Sequence, residues 1–302
     1  MANKIVEGSQ LTICWYVDDL KISHKDERVV TKMIDVIERK FGKMNVSRGK
    51  EHTYLGINFV IKNKKVEILM KSYLQECIDA YGEAINTNAA TPANKDLFVF
   101  NEESEVLDDR RAKIYVHIVQ KLLHVCKRAR LDLQVGIGYL CTRVKDPRLQ
   151  DWVKLRRMLQ YIRGTMDLKR IVSLEMSLGM DIYIDASHAT HNDMRGQTGG
   201  CIMMGDGIMH GRSNKQKLNT KSSTETELVG NSDYLPFAVW LLFFYEQQGY
   251  KIQSRKLHQD NESTIKMLKN GRASCGSRSR HINIRYFWVV DRIKQKNHGF
   301  FG

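Results

Sequence analysis

Asp18 and Asp19 stand side by side in the run Leu11-Thr-Ile-Cys-Trp-Tyr-Val-Asp-Asp-Leu-Lys-Ile-Ser23. Apolar residues lead in, and Leu20 and Ile22 alternate with polar residues on the way out. The pattern predicts two short strands joined by a tight turn, with both carboxylates at its tip. Carboxylates on a rigid hairpin are hard oxygen ligands suited to Mg²⁺, and such a pair could hold a metal and a nucleotide triphosphate. Asp is also a favoured turn residue, and an isolated Asp-Asp pair is more often plain turn chemistry.

The elements around this pair can be read from hydrophobic periodicity. Val30, Met33, Ile34, Ile37 and Phe41 recur at helical spacing. Leu55 to Ile61 and Val66 to Met70 alternate on either side of Asn63-Lys64-Lys65, which predicts a second hairpin. A helix over 72–81 follows. Residues 83–109 are polar and read as a mobile connection. Three helices come next, stopped between the second and third by Asp146-Pro147. Their polar faces carry Lys127, Arg128, Arg130, Arg143, Lys145, Arg148, Lys154, Arg156, Arg157 and Arg163, a bias that favours a phosphate-tracking surface over a merely solvated one. Gly164 and the weakly patterned stretch to Gly179 mark a boundary. Beyond it, Asp181 to Asp185, Thr198 to Met204 and Ile208 to Ser213 read as three strands. A helix from Ser223, interrupted or kinked near Pro236, a strand ending at Asp260, a helix over 261–269 and a last helix from His281 complete the order.

The chain has 302 residues, long enough for two domains, and 48 Lys and Arg against 34 Asp and Glu give a net charge of +14. So basic a balance favours a polyanionic partner, nucleic acid first. Six widely spaced cysteines without a C-x-x-C pair argue against zinc and a disulfide framework, and predict reduced thiols in an intracellular protein. Phe237 to Tyr245 is the longest apolar run, too short for the ~20 residues of a membrane span.

The paired acids extend into a longer resemblance. Tyr16-Val-Asp-Asp19, Phe41-Gly-Lys-Met44, Tyr54-Leu-Gly-Ile57, Thr91-Pro92, Thr142-Arg143, Tyr161-Ile-Arg-Gly-Thr165, Ser222-Ser-Thr-Glu-Thr-Glu227, Asp260-Asn-Glu-Ser263 and Arg280-His-Ile282 follow in order. Together they resemble the copia-type retrotransposon polyprotein over roughly nine-tenths of the chain. The resemblance implies an α+β chain in three parts. Residues 1–82 would be the carboxyl-terminal remnant of a reverse-transcriptase palm with the start of its thumb. Residues 83–178 would be a linker and basic helical connection, and 179–302 a ribonuclease H-like domain with a mixed five-stranded sheet. Asp18 and Asp19 would be part of a polymerase metal box, incomplete because the upstream palm and its further Asp are absent. The chain alone is not expected to extend a primer, although RNA-directed DNA polymerase is the parent activity.

What the resemblance implies for chemistry lies in the last part. Asp185, Glu227 and Asp260 would bind Mg²⁺ or Mn²⁺ for two-metal cleavage of RNA in RNA–DNA hybrids, with Glu225 left as an exposed neighbour. The family carries Asp in the third position of His-Ile-Asp, where this chain has Asn283, whose amide brings no charge, so one metal should bind more weakly. His281 is placed either as a proton shuttle or as a helix cap. Ser213, Lys215, Gln216, Ser222, Ser223 and Thr224 would contact the substrate backbone. Implied partners are the hybrid, other nucleic acid and an upstream polymerase segment, with no membrane, in a cytoplasmic virus-like particle or the nucleus. Two other readings stand beside this one: a decayed remnant that binds nucleic acid without cutting it, and a generic metal-dependent nuclease with the same Asp/Glu/Asp cluster.

Overall fold

The computed structural model describes residues 1–173 and 179–270. It is a mixed α+β structure with three sheets among those residues. β1 (Ala2–Val6), β2 (Ser9–Tyr16) and β3 (Asp19–Ser23) form the first sheet. Tyr16 faces Asp19, so Val17 and Asp18 alone make the turn of the expected hairpin. Val17 has φ 50°, a left-handed backbone that β-branched residues rarely adopt, so strain is stored at the tip. α1 (Glu27–Phe41) follows, its first turn capped by the Asp26 carboxylate accepting from Arg28 N at 2.8 Å.

The second predicted hairpin is β5 (Ile57–Lys62) and β6 (Lys65–Leu69), flanked by β4 (Glu51–Tyr54). Asn63 and Lys64 both have positive φ, as a two-residue turn matched to strand twist requires. A strand without a clear sequence signal completes this sheet. β7 (Arg170–Ser173) lies in the stretch expected to be a boundary, and pairs antiparallel with β6. Four residues are too few for alternation to show.

α2 (Lys71–Ala80), α3 (Asp109–Arg128), α4 (Gln134–Cys141) and α5 (Leu149–Gly164) enclose one apolar core. Tyr115, Ile118, Leu122, Ile137, Leu155 and Leu159 are fully buried in it. The segment 83–108, expected to be mobile, is instead tied to α5. The Arg148 guanidinium donates to the Glu102 carbonyl, Lys154 to the Val99 carbonyl, Arg157 to Thr91 Oγ1 and Arg163 to Asn88 Oδ1. Ile85, Leu97 and Leu107 of the segment are buried. The basic residues at the start of and along α5, half of those read as a phosphate-tracking surface, are therefore occupied in holding this segment. Arg130, 1% exposed, pairs with Asp132 and donates to Thr165. A helical wheel shows that a face is polar but not which backbone it meets.

The last sheet runs β10-β9-β8-β11, from β8 (Gly179–Ser187), β9 (Gln197–Met204), β10 (Gly207–Lys215) and β11 (Ser254–His258). β8, β9 and β10 are antiparallel neighbours, and β11 joins β8 in parallel. The sheet has four strands among the described residues, where five were expected. Met180, Ile182, Ile184 and Ala186 alternate inward beneath α6 (Ser223–Gln247), while Tyr183, Asp185 and Ser187 point outward. A one-residue slip in register would exchange the two sets. α6 continues through Pro236 as a single helix, a correction to the expected interruption. Leu235, Ala238, Leu241 and Leu242 are buried on both sides of the proline and outweigh its missing donor. α7 (Glu262–Asn270) closes the described chain. Arg170 joins the halves, donating to the Ile208 and Met209 carbonyls of β10. No helix among the described residues is long and apolar enough to cross a membrane. Cys77 and Cys126 are buried free thiols, each pushed up to about 12 by loss of solvent.

Candidate metal centre

Alternation along β8 places Asp185 on the outward face near the strand's end, with Gly199 of β9 and Ser213 of β10 beside it in the same cross-strand row. Two residues past β11, Asp260 comes up next to it, because β11 runs parallel to β8. Glu227 reaches in from the second turn of α6. One oxygen from each of the three carboxylates lies within 4.8 Å of the others, and no other such group occurs among the described residues. Opposed ligands on one Mg²⁺ sit about 4.2 Å apart, from bonds of roughly 2.1 Å. Three ligands cannot all oppose one another, and neighbouring ones sit about 3.0 Å apart, so the carboxylates would draw further together to share one ion. The donor set, all hard oxygen, fits a divalent cation.

Glu227 is 5% exposed, whereas Asp185 and Asp260 are exposed. Burial pushes its carboxyl above the ordinary glutamate range, and the charges of Asp185 and Asp260 push the same way. Two donors work against that shift: Ala186 N at 3.0 Å on one oxygen and Gln259 Nε2 at 3.1 Å on the other. Gln259 Oε1 in turn accepts from Asn261 N, and Asn261 Oδ1 accepts from Thr264 N in the first turn of α7. One amide thus links Glu227 to the loop that carries Asp260. Gln259 carries no motif that would single it out in the sequence.

The start of α6 is fixed from several sides. Ser222 caps the helix, accepting from Glu225 N at 3.2 Å, and Glu225 reaches back to Lys221 N. Glu225, expected to be an exposed neighbour, is half-buried and serves this cap. Gln216, expected at the substrate, is 2% exposed and turned inward, donating to Thr198 Oγ1 and the Thr226 carbonyl. It braces the residue preceding Glu227. His188, a residue that sequence reasoning missed, holds Thr226 Oγ1 at 2.9 Å from the end of β8. Gly196 is packed so closely that a Cβ would lie 2.7 Å from the Ser187 carbonyl and 2.8 Å from Gln216.

Of the other expected contacts, Ser213 accepts from Gln197 Nε2 at 2.8 Å and lies two strands, about 10 Å, from β8. Lys215 pairs with Asp193 at 2.7 Å. Ser223 and Thr224 form the first turn of α6, exposed and half-buried. His281 and Asn283 lie outside the described residues. Asp18 and Asp19 are exposed at the distant hairpin tip, where no third carboxylate joins them among the described residues. Asp185 and Asp260 open onto a groove of 930 Å³ between the outward sheet face and the start of α4. Tyr183 and His258 stack in it at 4.3 Å, and His258 pairs with Asp181 at 2.8 Å.

No family model matches the chain. It is similar to the retrovirus-related Pol polyprotein from transposon TNT 1-94 of Nicotiana tabacum, 22% identical over 299 residues, which are 96% of this chain and 22% of that protein. It is also similar to the transposon Ty1-BR Gag-Pol polyprotein of Saccharomyces cerevisiae, 25% identical over 281 residues, covering 87% of this chain and 16% of that protein. The transposon Ty1-JR1 Gag-Pol polyprotein of the same yeast is 24% identical over 283 residues. These relatives support a retroelement-derived, copia-type polyprotein, of which the chain spans a fifth or less of the yeast proteins' length and 22% of the tobacco protein's.

Proposed function

We propose that the chain is the reverse transcriptase–ribonuclease H portion of a retrotransposon polyprotein, and that it cleaves the RNA strand of RNA–DNA hybrids at the Asp185–Glu227–Asp260 centre. The observation that carries this reading is the convergence of those three acids from two parallel strands and a helix. Asp185 on β8 and Glu227 on α6 support the reading, while Asp260 lies two residues beyond β11 and not at the strand's end, where it was expected. The strand order β10-β9-β8-β11, with α6 between the third and fourth strands in sequence, agrees with the ribonuclease H order.

Asp185, Glu227 and Asp260 would hold Mg²⁺ or Mn²⁺. Bound there, the ion supplies Lewis acidity at the phosphoryl group and a more acidic water. The chain's own residues supply position. Glu227 is buried and oriented by Ala186 N on one oxygen and Gln259 on the other, so its rotamer is fixed and the remaining lone pairs of those oxygens would serve the cation. Asp185 and Asp260 face the groove and would meet the substrate side of the ion. Ser223 and Thr224 place hydroxyls and N–H groups at a helix start, which suits a backbone phosphate.

A labelled RNA–DNA hybrid incubated with the purified protein and Mg²⁺ tests the reading. Cleavage of the RNA strand, lost in Asp185→Asn, supports it. Duplex DNA cut equally well would favour a generic nuclease. The Asn283 position gives a reason to hold a second reading, the binding remnant. Asn283→Asp should raise the cleavage rate if a fourth ligand is wanting, and a folded protein that binds but never cuts would establish the remnant.

A further inference from the structure

We infer that the groove between the outward sheet face and the start of α4 is a slot for one unpaired nucleobase of the bound strand, held by stacking on Tyr183; this rests on the nucleic-acid function proposed above. The groove encloses 930 Å³ and opens onto Asp185 and Asp260. Register sets its walls. His258 faces Tyr183, Tyr183 faces Cys201, and Cys201 faces Gly211, so the four residues form one cross-strand row on the outward face. The next row along β8 holds Asp185, Gly199 and Ser213 on that same face. Successive rows are two residues apart, about 6.6 Å. A nucleotide whose phosphate lies at the carboxylates therefore has its base within reach of Tyr183.

The aromatic wall is already in place. The Tyr183 and His258 rings lie 4.3 Å apart and 8° from parallel, and His258 is fixed by its pair with Asp181 at 2.8 Å. That separation is close to the ~4.8 Å strand spacing, so the rings stand side by side across the sheet and His258 backs one face of Tyr183. The other face looks over Cys201 and Gly211, whose small size leaves the floor low. Beyond them stands the start of α4, where Gln134 donates to the Gly211 carbonyl at 2.8 Å and Leu131 and Val135 line the far wall. Tyr183 and Gly211 are two strand spacings apart, about 10 Å. A flat ring in contact on both faces needs roughly 7 Å, at ~3.5 Å a side, so the slot takes one base and not a stacked pair. Tyr183 is 40% exposed, whereas Ile182 and Ile184 beside it are buried, so the platform is open to a ligand. Stacking asks for no particular base, since every base has a π face. Drawing a base from a duplex costs unstacking, least where it is already unpaired, so the slot selects nucleotides at a bulge or a junction.

The test compares two RNA–DNA hybrids, one fully paired and one with a single unpaired nucleotide in its RNA strand, by equilibrium binding in EDTA to prevent metal-dependent cleavage. The parent should prefer the bulged hybrid. Tyr183→Ala should lower that preference about fivefold or more, the effect of losing one base–aromatic stack, and Tyr183→Phe should keep it. Cys201→Leu raises the floor of the slot and should lower the preference by a separate route. Each variant is scored by the ratio of two affinities, so a general loss of binding or stability cancels. A parent that binds and cuts the paired hybrid without preferring the bulged one overturns this inference alone. A preference that survives both Tyr183→Ala and Cys201→Leu does the same. A parent that binds no nucleic acid overturns it together with the proposed function. Adenosine titrated into the parent separates the sources: Tyr183-dependent adenosine binding without a bulge preference would assign the slot to a free nucleoside and overturn the strand assignment.

Discussion

Burial governs how Glu227 behaves when no metal is present. Its carboxyl is held above the ordinary glutamate range, first by loss of solvent. The folded protein therefore keeps a proton at pH values where the unfolded chain has released it. The contribution of Glu227 to metal-free stability should be fully present below the ordinary glutamate range and be lost as pH rises through the raised value. Melting temperatures taken in EDTA across roughly pH 4 to 8 should show that fall, and Glu227→Gln should remove its share. Identical pH profiles for parent and variant would contradict the assignment. Gln259 offers a sharper residue-scale test because it orients Glu227 without being a ligand itself. Gln259→Leu should weaken Mn²⁺ binding by about 10- to 100-fold in calorimetry, the usual effect of removing an outer partner. Undiminished affinity would reduce the amide to packing. The three acids were legible from sequence because each has a strong motif around it. Gln259, His188 and the inward turn of Gln216 were not, since their roles depend on which elements meet, and no local pattern records that.

At the scale of elements, periodicity revealed what faces a core and concealed what faces a partner. The alternation of β8 and the helical spacing of α1, α3 and α5 were plain in the residues. β1 is short and exposed, and β7 has four residues, too few for such a pattern to show. The arginines of α5 read as a basic face, yet they hold the 83–108 segment. Arg148→Ala should accordingly speed proteolytic cleavage within that segment and leave the salt slope of hybrid binding unchanged. A flattened slope with unaltered proteolysis would restore the phosphate-tracking reading. The packing of α6 on the sheet makes a second prediction. Gly200→Ala forces a methyl into the Tyr234 ring and should destabilise the protein by about 1–3 kcal/mol in denaturant titration, the range for overpacking. A neutral result would mean that Tyr234 can move away freely.

Across the whole molecule, the carboxylate cluster couples metal to stability. A cation that binds the folded chain alone stabilises it by RT ln(1 + [L]/Kd), about 2.7 kcal/mol at a hundredfold excess over Kd. Melting temperature should rise with Mg²⁺ or Mn²⁺ in the parent and not in Asp185→Asn. The α+β class and the order of the elements other than β1, β4 and β7 followed from the sequence, whereas the ties through Arg170 and Gln134 between the helical core and the last sheet did not. Those ties set the start of α4 against the sheet and so form the groove beside the acids. The most direct measurement of the central claim is single-turnover cleavage of a hybrid labelled on its RNA strand, by purified protein, over a Mg²⁺ and Mn²⁺ series. RNA cleavage that depends on metal and disappears in Asp185→Asn, with hybrid binding retained, is the predicted result. Cleavage that survives Asp185→Asn, or none at any metal concentration from a folded parent that binds the hybrid, would contradict it.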